Sequence, residues 1–198
     1  GSEPPVLAVA EDGSAVVPLL GGLGGVNVLA REIAAHLEVA PAITTSGELR
    51  FGTCLLNPPS GYALGDLELG KRFVSDLLAG ETVRIEGSAP WLAQAQLPED
   101  GQARLTVHVG HAERAVAANE LLIYPRCVVV AVRPGVADLP KVIGDVLHQA
   151  NIARQSLACL LAADTEMADP ALREAALELG VPLRFSSAAG TLSELAHH

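Results

Sequence analysis

The chain has 198 residues, 49% of them hydrophobic but only 3% aromatic, and a formal net charge of −10. That length holds one large or two small domains, and such a composition must build its core from Ala, Val and Leu. The acidic balance argues against nucleic acid and anionic membrane surfaces as partners, because both select a Lys/Arg excess.

The chain opens with a strand over Pro5 to Ala10, a tight turn at Glu11-Asp12-Gly13-Ser14, and a second short strand over Val16 to Leu20. Gly21-Gly22-Leu23-Gly24-Gly25 follows and opens a helix from about Val26 to Leu37. Glycines at such a junction permit positive φ and close approach of a ligand to the backbone. A helix N-terminus offers unpaired N–H groups and the positive end of a dipole. The loop is therefore a candidate site for carboxylate or phosphate groups. It matches neither the dinucleotide fingerprint nor the P-loop. A strand ending in Thr44-Thr45 comes next, at the strand end where open α/β sheets place ligands.

Another strand is predicted near Arg50 to Leu56, and Asn57-Pro58-Pro59-Ser60-Gly61 is a turn cluster. Asp66 caps a helix to about Ala79, with Gly80 just past its end. Strands are predicted at Thr82 to Glu86, Arg104 to Val109 and Leu121 to Tyr124, with a loop over Ser88 to Gln102. Cys127 to Val132 is a continuous run of the kind buried on both faces. A helix from about Ala137 to Ala150, a strand over Leu157 to Ala162, a helix from Pro170 to Gly180 and a strand over Val181 to Phe185 follow. Thr191 starts a last short helix. The alternation predicts an α/β fold of two small units with mainly parallel sheets flanked by helices, residues 1–124 and 125–198.

The chemistry-bearing side chains are few. Asn27 is a hydrogen-bonding candidate or a helix cap. Thr44 and Thr45 are ligand candidates or turn caps. Arg31 and Arg133 are surface cations able to meet carboxylates. His108 and His111 alternate across a strand, poor geometry for one ion, and no metal site is expected. His36 and His148 read as structural, and Cys127 and Cys159 as small core hydrophobes. Asp164, Glu166 and Asp169 precede a helix, where acidic residues suit the dipole. The three cysteines, Cys54 included, show no CxxC spacing, which favours reduced thiols in the cytoplasm. No apolar run is long enough to span a membrane.

A longer string is more specific than the loop. Val17-Pro18-Leu19-Leu20, Gly24-Gly25-Val26-Asn27, Leu29-Ala30-Arg31, Ile33-Ala34 and Pro41-Ala42-Ile43-Thr44-Thr45 stand in fixed order. Together they resemble the cobalamin biosynthesis protein G (CbiG) family. The second half, Val128 to Val136 and Asp164 to Ser186 with its Leu179-Gly180-Val181-Pro182-Leu183-Arg184-Phe185 string, resembles that family's CobE-like C-terminal domain. The resemblance covers nearly the whole chain and is faint between Phe51 and Ala118. It implies a region apparently truncated at its start, because the family carries α/β structure upstream.

The resemblance also implies a role in cobalamin (corrin) metabolism, with a precorrin or cobalt-precorrin tetrapyrrole as partner. The full-length family opens the ring-A δ-lactone of cobalt-precorrin-5A and releases acetaldehyde. Some members are fused ahead of a precorrin-3B C(17)-methyltransferase. S-adenosylmethionine would belong to such a fused domain, and no cofactor is expected in this chain. Substrate-binding residues are expected at Gly21, Gly22, Gly24, Gly25, Asn27, Thr44 and Thr45. The family's loop His is replaced at Gly22 or Leu23, its Cys within Ala131-Val132-Arg133 and its Lys at Glu166. Catalytic residues therefore stay unknown. Three readings remain open: a lactone hydrolase; a non-catalytic CobE-like tetrapyrrole-binding or interaction module, joined to a methyltransferase domain or to further copies of itself; or an unrelated α/β scaffold with a fortuitous glycine loop, which the two family-like strings disfavour.

Overall fold

The computed structural model describes residues 4–21, 26–43 and 46–187. β1 (Val6–Val9) and β2 (Val16–Leu20) form an antiparallel hairpin. Its turn is held by Asp12, whose carboxylate accepts from the Ser14 N–H at 3.0 Å and the Ser14 hydroxyl at 2.6 Å. α1 (Val26–His36) lays Ala30 and Ala34 on Val16. Small side chains there let the helix approach the strand closely. Ala42 N–H donates to the Val16 carbonyl at 2.8 Å, and Pro41 bridges Val16 in parallel sense.

Beyond Thr45 the structure departs from expectation. Residues Ser46–Phe51 form a short helix, α2, and no strand runs over Arg50 to Leu56. The helix carries Phe51 into the core, where it is 2% exposed. β3 (Tyr62–Leu64) is a strand that local pattern did not announce; it pairs antiparallel with β6 (Glu120–Pro125). Between them lie α3 (Leu67–Leu78), β4 (Val83–Glu86) and β5 (Leu105–Val109). Asp66 caps α3 by accepting from the Leu69 N–H at 2.8 Å, and Gly80 takes φ +109° just past its end. The four-stranded sheet has the order β3-β6-β5-β4. Thr106 N–H bonds Asn119 O and Gly110 N–H bonds Ile123 O, a constant offset that makes β5 and β6 parallel.

The last sheet is wholly parallel, in the order β7 (Val128–Ala131), β8 (Leu157–Ala163), β9 (Leu183–Ser186). The crossovers are α4 (Leu139–Gln149) and α5 (Pro170–Leu179). One core joins Ile143 and Leu147 of α4, Leu172, Ala175 and Ala176 of α5, and Leu160 and Ala162 of β8. Each large aliphatic buried there contributes about 1.5–3 kcal/mol. Asp169 accepts from Ala171 N–H at 2.8 Å, Pro170 starts α5, and Gly180 ends it at φ +68°. β7 is not buried on both faces: Val129 is 48% exposed, because β7 is an edge strand and the shared core draws on the opposite face. The short helix expected from Thr191 lies outside the described residues.

The fold is therefore α/β, with small sheets flanked by helices. By internal packing it divides into two compact units. The first comprises Gly1–Pro58, Asp66–Val107 and Ala118–Leu121; the second comprises Pro59–Gly65, His108–Ala117 and Leu122–His198. No helix among the described residues is long and apolar enough to cross a membrane.

Candidate functional site

Gly21 ends β2 with φ +85°, and its neighbours leave no room for a side chain. An added Cβ would lie 2.7 Å from the Cα of Pro5 and 2.9 Å from the Pro4 carbonyl oxygen. The Gly21 carbonyl accepts from the Val26 N–H at 3.3 Å, tying the start of α1 to the end of β2. Gly22, Gly24, Gly25, Thr44 and Thr45 lie outside the described residues, as does Leu23.

Asn27 is the second residue of α1 and only 4% exposed. Its side chain does not cap the helix. The amide Nδ2 donates to Glu48 Oε2 at 2.9 Å. Arg31, one turn further along the same face, pairs with Glu48 Oε1. The Glu48 side chain is 8% exposed and that of Arg31 is 47% exposed. Glu48 belongs to the first turn of α2, so the opening turns of α1 and α2 meet through one buried carboxylate. A buried charge demands such partners, since an unpaired one costs several kcal/mol. Asn27 meets one oxygen of Glu48 and Arg31 the other. The arrangement joins two helices; it does not present a free base.

Sequence reasoning named Asn27 and Arg31 but missed Glu48. The available signal was an acid three residues beyond Thr45. Its spacing says nothing about α1, because its partner Asn27 is 21 residues away.

The other candidates belong to other elements of the chain. Arg133 is exposed after β7. His108 sits on β5 and His111 in the loop beyond it. No group of three or more His, Cys, Asp or Glu able to hold a metal occurs among the described residues. Asp169 is occupied as the cap of α5. His148 is exposed and meets Glu113 at 2.7 Å. Cys127 is exposed rather than a core hydrophobe: it precedes the edge strand β7, and its backbone N–H donates to Ser156 O and Pro125 O, each at 3.1 Å. Cys159, on β8, is half-buried, and burial pushes its thiol above the ordinary value, partly opposed by the positive charge of Arg184.

Residues 1–48 match the family model described as Cobalamin synthesis G N-terminal. That stretch contains β1, β2, the glycine loop, α1 and Glu48. No curated protein matches the chain significantly. Among solved structures, a cobalamin biosynthesis protein G homolog from Sulfolobus solfataricus aligns at 17% identity with a TM-score of 0.35. The alignment covers 93% of this chain and 57% of that one. The family match covers residues 1–48, which hold the string Val17 to Thr45.

Proposed function

We propose, from the cobalamin-synthesis G segment at residues 1–48, that this chain binds a precorrin or cobalt-precorrin in corrin biosynthesis. The family match is the observation that carries the reading. The physical rationale is that a carboxylate-rich tetrapyrrole needs hydrogen-bond donors, and a chain of net charge −10 offers few cationic surfaces. Backbone N–H groups of a glycine loop entering a helix supply donors without a formal charge. Gly21, Gly22, Gly24, Gly25, Asn27, Thr44 and Thr45 are the proposed contacts.

Turnover is a separate proposal. Opening a lactone needs a base or nucleophile and a donor for the developing oxyanion. The family's reactive His, Cys and Lys are replaced here, and Glu48 is committed to Asn27 and Arg31. This supports a binding segment with weak or absent hydrolysis over an independent cobalt-precorrin-5A hydrolase. S-adenosylmethionine enters only where a precorrin-3B C(17)-methyltransferase domain shares the polypeptide.

Two assays on one sample test both halves. Absorbance titration with cobalt-precorrin-5A is expected to saturate. Acetaldehyde release is expected at least about a hundredfold below that of a full-length family member, the loss typical of a missing proton-transfer group. Absence of binding at millimolar ligand would defeat the binding reading. Comparable acetaldehyde rates would establish the hydrolase instead.

A further inference from the structure

Asn27 and Glu48 belong to different helices, and each lies at a particular place in the chain. Asn27 is the second residue of α1, immediately after the glycine loop. Glu48 is the third residue of α2, three residues beyond Thr45. A single buried carboxylate thus joins the two helical turns into which the proposed ligand-binding segments run. Arg31 adds a second hold one turn further along α1.

Geometry separates this pair from an ordinary surface ion pair. Exposed pairs contribute little because both partners are mobile and screened. Here the carboxylate is nearly buried and accepts from an amide that is itself in the core. The Asn27 amide cannot follow a ligand without giving up its 2.9 Å hydrogen bond to Glu48 Oε2. Gly47 is close-packed as well: an added Cβ would stand 3.3 Å from Val74 Cγ1 of α3. The backbone beside Glu48 is therefore backed by a longer helix.

We infer that Glu48 is a positioning residue: through Asn27 and Arg31 it fixes the first turn of α1 in the orientation that receives a ligand carboxylate. The ligand half of this statement rests on the tetrapyrrole reading above. Asn27 then acts through Glu48 and is itself held, not free to reorient on binding. The opposite arrangement is a placeholder, in which Glu48 mimics the ligand's carboxylate and must leave before binding. The two predict opposite signs.

The experiment compares the whole chain with Glu48→Gln and Glu48→Asp. The first readout is amide hydrogen exchange without ligand; the second is the dissociation constant for cobalt-precorrin-5A. For Glu48→Gln, exchange over Asn27 to Arg31 should quicken about tenfold while α5 keeps its rates, as losing one charge-assisted hold implies. The dissociation constant should rise by a similar factor, and Glu48→Asp should recover part of both effects. Unchanged exchange at Asn27 to Arg31, or tighter binding by Glu48→Gln, would overturn the inference. Uniformly faster exchange, α5 included, would overturn it too by showing a general loss of stability. Faster local exchange with no binding by any form would sustain the positioning role and defeat the tetrapyrrole reading alone.

Discussion

Gly21 shows how tightly single residues are specified beside the glycine loop. Its positive φ disfavours any side chain, and Pro4 and Pro5 occupy the space a Cβ would take. Replacing it with Ala should cost about 1–3 kcal/mol from the backbone conformation alone, with overlap adding to that. Urea unfolding of Gly21→Ala measures it; a change below about 0.5 kcal/mol, the scale of an ordinary surface substitution, would show that the strand end yields freely. Cys159 gives a pH-dependent test. Its folded thiol titrates above the ordinary value of 9.0 because burial disfavours the thiolate. The stabilisation this implies is fully present below the unfolded thiol's pKa and is lost as pH rises through the folded one. Alkylation near pH 9 should accordingly label the exposed Cys127 before Cys159, as peptide mapping would show. Equal labelling would mean that β8 does not shield its thiol.

At the scale of elements, legibility followed the distance between partners. α3 and α5 could be read to within a residue or two because their signals are local. Asp66 and Asp169 cap them, Pro170 starts α5, and Gly80 and Gly180 follow their ends. Asp169→Ala should therefore cost about 0.5–2 kcal/mol in thermal or urea unfolding, the usual loss of a helix cap. No effect would mean that α5 is held by packing alone. β3 was missed because three residues, Tyr62–Leu64, carry no period, and their pairing with β6 is long-range. A strand was expected over Arg50 to Leu56, yet the chain forms α2 at Ser46–Phe51; what decides the helix is burial of Phe51 and the tie from Glu48 to α1. In the parallel sheet, Leu160 is wholly buried in the core it shares with α4 and α5. Leu160→Ala should lose about 2–5 kcal/mol, read from the urea midpoint, and a much smaller loss would contradict a shared core.

For the whole molecule, the fold class could be read from the sequence more readily than the site. Strand–helix alternation is written in composition and punctuation, so the α/β character and the parallel C-terminal sheet could be anticipated. A binding site depends on groups converging from separate elements, as Asn27 and Arg31 of α1 do on Glu48 of α2. The acidic surface adds a constraint on any ligand carrying carboxylates. Long-range repulsion from a chain of charge −10 is screened by salt, whereas close N–H contacts are screened much less. Binding of a precorrin should therefore strengthen, not weaken, between about 0.01 and 0.15 M salt, the range over which the Debye length falls from ~30 to ~8 Å. An isothermal titration series in NaCl would check the sign; weakening with salt would point to a cationic patch as the docking surface.

The central claim is that the segment around Gly21 and the first turn of α1 receives a tetrapyrrole. Amide chemical shifts of the isotopically labelled chain, followed during titration with cobalt-precorrin-5A, address it most directly. The account predicts saturable shifts concentrated between Gly21 and Arg31 and around Glu48, with β7, β8 and β9 unmoved. Shifts confined to the parallel sheet and its helices, or none at millimolar ligand, would contradict it.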